Sequence, residues 1–459
     1  YNRAPMSEQP RPSASFCAID FGTSNSAIAV PAVAQGGDAA ARMTLVPLEG
    51  GQLTMPTAVF YATDPGDLPA AARPGPSVHD ALPRCVGRAA IRAYIDGHEG
   101  RLMRSMKSIL GTGLVDQTTE VGGGHGVKFI DVITGYLRHL RDAAQVHSGQ
   151  PLTRVVMGRP VQFVDDDPAR DAQAQAQLEA AARAVGFTEV EFQYEPIAAA
   201  FDHEHRIDHE ECVLVADIGG GTSDFSVVRV GPQRAQRVER RDDILASGGV
   251  HIAGTDFDRH LNLQAIMPTL GFGAFGPQPK DGSAPRPVPS RVYFDLSTWH
   301  LVNTVYGPQR MAELRGMADF YGTPAHHQRL MKVLRDRLGH ALLGEAESAK
   351  IAVAEGGATQ LALDLIERGL LQDVRAEQAE QAWRDDLARI VRSAQDTVAQ
   401  AGLRPQDVDA LYFTGGSTGL KVLTDALQAA FPGARVVRGD RLASVATGLG
   451  LHAARLWGA

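Results

Sequence analysis

Cysteine is scarce in this sequence, whose 459 residues include only Cys17, Cys85 and Cys212. An odd number of cysteines, with no CxxC pair, argues against a disulfide framework and against a zinc ribbon. No apolar run approaches the roughly 18 residues of a membrane span. The N-terminus also lacks the charged and then apolar pattern of a secretory signal. We therefore expect a cytoplasmic protein that has no membrane partner.

Positive charge is not in excess either. Lys and Arg number 45 against 53 Asp and Glu, which gives a net charge of −8. Because nucleic-acid binding depends on basic surfaces, we expect no nucleic-acid partner. The composition, with 44% hydrophobic and 21% charged residues, is typical of a folded chain. Residues 1–15 are polar, and we expect them to be disordered or added in cloning.

Hydrophobic periodicity and turn residues predict both strands and helices. The predicted strands are 16–20, 26–30, 154–157, 190–193, 212–217, 225–230 and 410–413. The predicted helices are 91–110, 128–147, 171–185, 330–353, 378–401, 420–430 and 444–456. A segment dense in Gly and Pro, 271–290, is predicted to be a loop. We expect an α/β protein.

One pattern occurs twice in the chain. Around Asp20 the sequence reads AIDFGTSNSAIAV, and around Asp217 it reads VADIGGGTSDFSVV. Each copy is an apolar strand, an aspartate, a glycine-rich turn with Thr and Ser, and a second apolar strand. We call residues 20–26 the first Asp-Gly loop and residues 217–224 the second. Because they lie about 200 residues apart, they suggest two related halves rather than a solenoid repeat.

Such a loop has the groups that a phosphate needs. A glycine-rich turn exposes successive backbone N–H groups to phosphate oxygens, and the Thr and Ser hydroxyls add further donors. The aspartate at the strand end offers a hard oxygen ligand to Mg²⁺, directly or through water. A single glycine turn is weak support for a binding site, but two matched copies favour a site for a polyphosphate and its metal.

These motifs make the chain similar to the DnaK-type heat-shock chaperones of the actin-like ATPase superfamily. Within that group it most resembles the compact, YegD-like members. The two Asp-Gly loops characterise the superfamily, and the Glu195-Pro196 pair with residues 254–258 (GTDFD) narrows the resemblance to the chaperones. Residues 195–200, 347–350 and 414–417 also match, in the family's order. The resemblance covers residues 16–456.

The resemblance implies that ATP or ADP binds with Mg²⁺ in a cleft between two lobes. Asp20 and Asp217 would hold Mg²⁺ through its waters, and together with Lys107 and Glu195 they would carry the catalytic step. Glu347 and Lys350, three residues apart on one helix, would hydrogen-bond the ribose. The other implied nucleotide contacts are Gly22, Thr23, Ser24, Asn25, Gly219, Gly220, Gly221, Thr222, Gly415, Gly416 and Ser417.

Two of these assignments have simpler alternatives. Lys107 matches the family's phosphate-side lysine, and its compact ammonium suits a γ-phosphate and its attacking water. It is one of only six lysines in the chain, but it could be an ordinary surface lysine. Likewise, Glu347 and Lys350 could form a plain surface ion pair.

The sequence departs from the family at two places near the base. Gly419 replaces an arginine that stacks on the adenine, and Leu442 replaces an aspartate near the last helix. We therefore expect an altered base pocket with weak adenine selectivity. The family's linker and peptide-binding β-domain have no counterpart before Ala459, so we expect no peptide capture by the usual route.

Two rival patterns explain less of the sequence. Residues 415–419 spell GxSxG, with Asp440 and His452 following in hydrolase order, but a hydrolase leaves both Asp-Gly loops unexplained. His203, His205, His209 and Cys212 form a candidate metal cluster, but the acidic residues interleaved with them indicate a solvated connection.

The sequence thus predicts an actin-like ATPase fold with two lobes, each with a β-sheet core subdomain and a peripheral subdomain. The first lobe is expected at 16–206 and the second at 208–459, with its peripheral subdomain at about 255–400. The expected function is that of a monomeric, chaperone-like ATPase that hydrolyses ATP slowly and works with an unidentified protein partner or client. A filament-forming actin-like protein and a nucleotide-binding regulator that does not hydrolyse ATP are the alternatives.

Overall fold

The structure of the protein is a computed structural model. It describes residues 16–32, 43–64, 66, 68, 82–122, 124–164, 167–354, 356–439 and 444–458. Residues 1–15, together with Asp440 and Leu442, therefore lie outside the described residues. In the part of the chain that is described, no helix is both long and apolar enough to cross a membrane.

Strands and helices are mixed along the whole described chain. The strands are β1 Phe16–Phe21, β2 Asn25–Pro31, β3 Met43–Leu45, β4 Met55–Pro56, β5 Ala58–Ala62, β6 Arg84–Val86, β7 Gly100–Arg104, β8 Thr118–Gly122, β9 His125–Lys128, β10 Arg154–Arg159, β11 Glu189–Tyr194, β12 Glu211–Ile218, β13 Ser223–Val230, β14 Ile244–Val250, β15 Ala358–Ala362, β16 Leu371–Arg375, β17 Ala410–Thr414 and β18 Arg435–Arg438. The helices are α1 Gly87–Ile95, α2 Phe129–Ser148, α3 Pro168–Ala184, α4 Glu195–Glu204, α5 Gly254–Leu261, α6 Arg291–Leu296, α7 Pro308–Arg315, α8 Pro324–Arg335, α9 Gly339–Val353, α10 Ala376–Gln400, α11 Lys421–Ala430 and α12 Ser444–Trp457.

The chain forms two compact units. Among the described residues, the first unit comprises those within 16–215, 226–247 and 437–458, and the second comprises those within 216–225 and 248–436. A five-stranded sheet has the order β14-β13-β12-β17-β18. The lobe boundaries inferred from the sequence stay a prediction.

The main sheet of the first unit has the order β11-β10-β1-β2-β3, with β4 also paired to β2. Strand β1 is parallel to β10, which is parallel to β11, while β2 is antiparallel to β1. The side chains of Cys17, Ile19 and Phe21 are buried in one core with residues of α2 and α3. The hairpin between β1 and β2 and the start of α4 therefore lie at the same edge, where the parallel strands end.

Helix α12 covers the other face of this sheet, where it contacts β1, β2 and β10. Phe16 of β1 lies with its ring centroid 6.0 Å from that of Trp457. Gly448 allows α12 to approach α4, because a Cβ there would overlap the backbone of Ala198. The chain thus returns at its end to the sheet that holds the first Asp-Gly loop.

Two predicted helices are wrong in part. The helix predicted at 91–110 ends at Ile95, and its second half is strand β7 followed by a 3-10 turn at Met106–Ile109. Gly97, with φ of 78°, ends the helix, and β7 then pairs with β5. The helix predicted at 330–353 is divided into α8 and α9, because Arg337 has a left-handed φ of 53°.

Candidate functional site

The first Asp-Gly loop is the tight turn between β1 and β2. Asp20 pairs in register with Ala27 near the end of β1. Gly22 is required sterically, because a Cβ there would overlap the carbonyl oxygen of Asn25. Thr23 and Asn25 are exposed, and Ser24 is half-buried. The turn therefore presents polar groups to solvent on a backbone that only glycine permits.

A threonine that the sequence did not indicate holds this loop in place. The Thr57 hydroxyl donates to the carbonyl oxygen of Gly22 at 2.7 Å and lies 2.8 Å from the Ser26 hydroxyl. The backbone N–H of Thr57 donates to the carbonyl oxygen of Ser24 at 2.9 Å. Because Ser26 and Thr57 are both buried, these hydrogen bonds hold the turn on the side that faces the interior of the protein. No sequence pattern pointed to Thr57.

The structure brings together two residues predicted to be catalytic, Lys107 and Glu195. The Lys107 ammonium donates to Oε1 of Glu195, and the two side chains are 8% and 17% exposed. Lys107 lies on the 3-10 turn Met106–Ile109, and Glu195 is the first residue of α4. Lys107 is thus not a solvated surface lysine, and buried charges of this kind need their partner.

A glycine makes room for this pair. A Cβ on Gly158, in β10, would lie 3.1 Å from Cγ of Glu195 and 3.1 Å from Cδ1 of Leu449. That separation is at the lower limit of normal carbon contacts. The Glu195 side chain therefore packs directly against the backbone of β10, which limits the positions that its carboxylate can take.

The second Asp-Gly loop joins β12 to β13. Asp217 is the next-to-last residue of β12, and the turn is closed by a 3.0 Å hydrogen bond from the N–H of Gly219 to the carbonyl oxygen of Thr222. A Cβ on Gly221 would meet nothing within 4 Å, so the backbone there is open to a ligand. The Thr222 hydroxyl donates to Oδ2 of Asp224 at 2.7 Å.

Two segments of the second unit hold this loop. The hydroxyl of Thr255 and its N–H each lie 2.8 Å from the carbonyl oxygen of Gly220. The Ser417 hydroxyl donates to the carbonyl oxygen of Gly219 at 2.7 Å. Thr255 belongs to the family motif at residues 254–258, but the sequence analysis assigned no role to it. Thr255, at the start of α5, therefore holds a carbonyl group of the second loop in place by hydrogen bonds, as Thr57 does in the first loop.

Gly415 lies directly against the strand end that carries Asp217. It has a φ of +88°, which favours glycine, and a Cβ would lie 2.6 Å from Oδ1 of Asp217. The next residues, Gly416–Gly419, form a 3-10 turn. The structure thus places Gly415, Ser417 and Gly419 on one turn beside the second Asp-Gly loop. Leu442, the other predicted departure from the family, lies outside the described residues.

Lys350 does not form a simple surface pair with Glu347. Its ammonium is buried and lies 2.7 Å from Oδ1 of Asp258 and 3.3 Å from the carbonyl oxygen of Gly254. Glu347 is exposed. Burial raises the pKa of Asp258 to about 6, against the opposing effect of Lys350. Asp258 is a partner that the sequence analysis missed, although it lies in the motif at residues 254–258.

The rival patterns gain no support from the described residues. The described residues contain no group of three or more His, Cys, Asp or Glu side chains that could hold a metal ion. His203, from the candidate metal cluster, instead lies with its Nε2 2.9 Å from Oε2 of Glu211. The Ser417 hydroxyl of the GxSxG pattern is bonded to a backbone carbonyl. Asp440 of that pattern lies outside the described residues.

Comparison with known proteins gives a match to a family and to several chaperones. The model of the Hsp70 protein family matches residues 16–266. A protein named chaperone protein dnaK, from Cyanophora paradoxa, is 28% identical over 261 residues, which are 53% of this chain and 36% of that protein. A chaperone protein HscA homolog from Pseudomonas putida is 30% identical over 275 residues, 56% of this chain and 38% of that protein.

A third relative agrees with these two. The chaperone protein dnaK of Cyanidioschyzon merolae is 28% identical over 264 residues, 53% of this chain and 37% of that protein. The aligned part of this chain therefore spans little more than a third of each relative's length.

Proposed function

Because the chain belongs to the Hsp70 protein family, we propose that it is a chaperone-like ATPase that binds Mg-ATP with both Asp-Gly loops and hydrolyses it slowly. The family domain has the actin-like ATPase fold, so the fold class and the family predicted from the sequence are confirmed. That the chain is one of the compact, YegD-like members remains a prediction.

The observation that carries the proposal is that both loops are built in the same way. Each has an aspartate at a strand end, a turn of glycines and hydroxyl residues, and a threonine that holds a turn carbonyl in place, Thr57 on Gly22 and Thr255 on Gly220. A braced turn with open backbone, as at Gly221, suits phosphate oxygens, because its N–H groups need not rearrange on binding.

The residues present also suit Mg²⁺. This ion usually keeps several waters and takes one or two carboxylates together with the phosphates of the substrate. Asp20, near the end of β1, and Asp217, near the end of β12, supply carboxylates of that kind. When bound, Mg²⁺ would neutralise charge on the phosphates.

Lys107 and Glu195 would provide the remaining charges. In phosphoryl transfer the protein acts mainly by positioning and by electrostatics. The Lys107 ammonium would bind a phosphate oxygen and the attacking water, and the Glu195 carboxylate would hold that ammonium in position and accept a hydrogen bond from the water. The close contact of Glu195 with Gly158 restricts this pair, which favours a preformed arrangement.

The purpose of hydrolysis is proposed from the relatives, which are chaperones by name. We expect lobe opening and closing to be coupled to ATP and to an unidentified client or partner protein. A monomeric, cytoplasmic protein remains the expectation. A filament-forming protein would need two different surfaces that complement each other head to tail, and sedimentation at increasing protein concentration would reveal the resulting polymers.

The proposal is tested by phosphate release under single-turnover and steady-state conditions. We expect slow release that needs Mg²⁺, and a fall of about 100-fold or more in Asp217→Asn, as for the loss of one preorganised charged group. Asp425→Asn, an exposed aspartate in α11, is the matched control and should keep full activity. Tight ATP binding without release would instead support the non-hydrolysing regulator, and absence of nucleotide binding would overturn both readings.

A further inference from the structure

A cavity of 580 Å³ lies in the first unit and is lined by none of the residues predicted to bind the nucleotide or Mg²⁺. One wall is the end of α4 with Ile207, the second is the connection after β13, and the third is the last turns of α12. A volume of this size is in the range of small-molecule sites.

Much of the wall is apolar. Ile207, Ala235, Val238 and Leu456 contribute aliphatic surface, and the side chain of Val238 is 65% exposed although it is hydrophobic. Apolar surface that is concave and open to solvent gains free energy when an apolar group covers it. The cavity is therefore suited to the hydrocarbon part of a ligand.

The only carboxylate in the wall is already neutralised. Glu204 is buried, and Arg240 donates to its two oxygens at 3.0 and 2.8 Å. The N–H of Gly231 adds a third hydrogen bond to Glu204 at 3.0 Å. Three of the roughly four acceptor sites of this carboxylate are thus occupied, and its charge is compensated by the buried Arg240. Negative charge therefore does not determine what this cavity binds.

The charge of Arg455, by contrast, is not neutralised by a carboxylate. Arg455 donates to the carbonyl oxygen of Ala235 at 2.6 Å and contacts Nε2 of His205 at 2.9 Å. Neither partner is a carboxylate, and the described residues offer Arg455 no ion pair within 4 Å. Its guanidinium lies 5.0 Å from the ring centroid of Phe201, which orients it over an aromatic surface. Arg237 adds a second, exposed guanidinium, which lies 3.8 Å from Oδ1 of Asp243.

The ring of His452 completes the floor as a neutral group. It stacks on Phe201, with a centroid distance of 6.2 Å and an angle of 10°, and Gln193 lies 3.4 Å from its Nδ1. Burial lowers the pKa of His452 to about 4, and the nearby Arg455 and Arg240 act in the same direction. Near neutral pH, the histidine therefore contributes aromatic surface and not a charge.

We propose that this cavity binds a small amphipathic organic anion, a carboxylate with an aliphatic body. The carboxylate pairs with Arg455, and the aliphatic part lies on Val238 and Leu456. A carboxylate is the natural partner because it accepts two hydrogen bonds from one guanidinium. This proposal is independent of the nucleotide site, since all of the lining residues belong to the first unit and none is in an Asp-Gly loop.

The test is calorimetric titration of the full chain with three ligands that share one alkyl chain, octanoate, 1-octanol and octylammonium. We expect octanoate to bind about tenfold more tightly than octanol, the gain of a charge-assisted hydrogen bond, and octylammonium to bind most weakly. Arg455→Gln should remove the preference for octanoate and leave octanol binding unchanged, while Arg455→Lys should keep part of it. Arg335→Gln, an exposed arginine paired with Asp336 in the second unit, is the matched control.

A second variant does not depend on Arg455. Val238→Asp places a negative charge at an exposed position of the wall, where it has no packing role, so octanoate binding should be lost while the melting temperature stays the same. The proposal is overturned if octanoate fails to bind up to its solubility limit, if octanol binds equally well, or if octanoate affinity is unchanged in both variants.

Discussion

The Lys350 ammonium lies 2.7 Å from Oδ1 of Asp258 in the interior of the second unit. This ion pair joins α9 to α5, the helix whose first turn braces the second Asp-Gly loop. Since the sequence assigned Lys350 to ribose binding, Asp258 is the residue that would set the position of its charge. Buried ion pairs balance a desolvation cost against their attraction, and here that cost is visible in the raised pKa of Asp258.

Asp258 should make stability fall as pH rises. Its pKa is about 6 in the folded protein and about 3.9 in an unfolded chain, so the folded state binds more protons between these values. The stabilising contribution is full below about pH 4 and is lost as pH rises through 6, for a total of about 3 kcal/mol. We expect wild type to lose stability relative to Asp258→Asn over this window, measured by urea unfolding from pH 4 to pH 7.

Asp336→Asn provides a control of opposite sign. Hydrogen bonds from Lys332 and Arg335 lower the pKa of the exposed Asp336, so wild type should lose stability relative to this variant as pH falls. The role given to Asp258 fails if the difference between wild type and Asp258→Asn does not change with pH.

Gly221 allows a test of nucleotide binding that leaves the fold intact. Its backbone has ordinary φ and its Cβ would meet nothing within 4 Å, so valine should fit there but cover the N–H groups of the loop. In wild type, Mg-ATP at 100 times its dissociation constant should stabilise the protein by about 2.7 kcal/mol. We expect calorimetry to show this shift in wild type and to show none in Gly221→Val.

Gly113→Val is the matched control, because a Cβ there also meets nothing within 4 Å and Gly113 lies outside both loops. It should keep the full shift with Mg-ATP. If wild type shows no shift, the interpretation of the two loops is wrong; if Gly221→Val keeps the shift, the second loop does not bind phosphate through its backbone.

The sequence predicted strands and turns at the two Asp-Gly loops well, because both are local patterns of apolar residues and glycines. It also predicted α2, α3, α10, α11 and α12 to within a few residues. It failed at 91–110, where pairing of β7 with β5 overrode a helical composition. Tertiary contacts of this kind leave no local periodicity to detect.

In the candidate site, too, the sequence predicted what depends on local motifs and missed what depends on tertiary contacts. Family motifs supplied Lys107, Glu195 and Lys350, and the structure adds the contacts around them. Thr57 and Asp258 could not be assigned from the sequence, because their roles depend on residues 35 and 92 positions away. A hydrogen bond between distant segments has no spacing rule, unlike pairs within one helix.

Gly158 should matter for catalysis through Glu195. A methyl group at Gly158 would press on Cγ of Glu195 and on Leu449 at 3.1 Å, which moves the carboxylate that holds Lys107. Misplacement by a fraction of an ångström lowers rates more than affinity. For Gly158→Ala we expect phosphate release to fall by about tenfold with little change in ATP affinity. Gly344→Ala, on α9 where a Cβ would meet nothing within 4 Å, is the control and should change neither the rate of phosphate release nor the affinity for ATP. A normal rate in Gly158→Ala would contradict the prediction and show that Glu195 tolerates displacement.

We predict that Gly419 leaves this protein with weak discrimination between ATP and GTP. In the family the matching position holds an arginine that stacks on the adenine, and here it is the last residue of the turn Gly416–Gly419. A guanidinium over a partly exposed ring contributes about 1 kcal/mol, and without it the phosphate contacts should dominate binding.

We expect Kd values for ATP and GTP within about tenfold of each other in wild type. Gly419→Arg should tighten the binding of ATP several-fold more than that of GTP. Gly307→Arg, at a glycine of the second unit where a Cβ would meet nothing within 4 Å, controls for the added charge and should not change the ratio of the two Kd values. Strong adenine selectivity in wild type would mean that another side chain has taken the place of the arginine, and this interpretation of Gly419 would then be wrong.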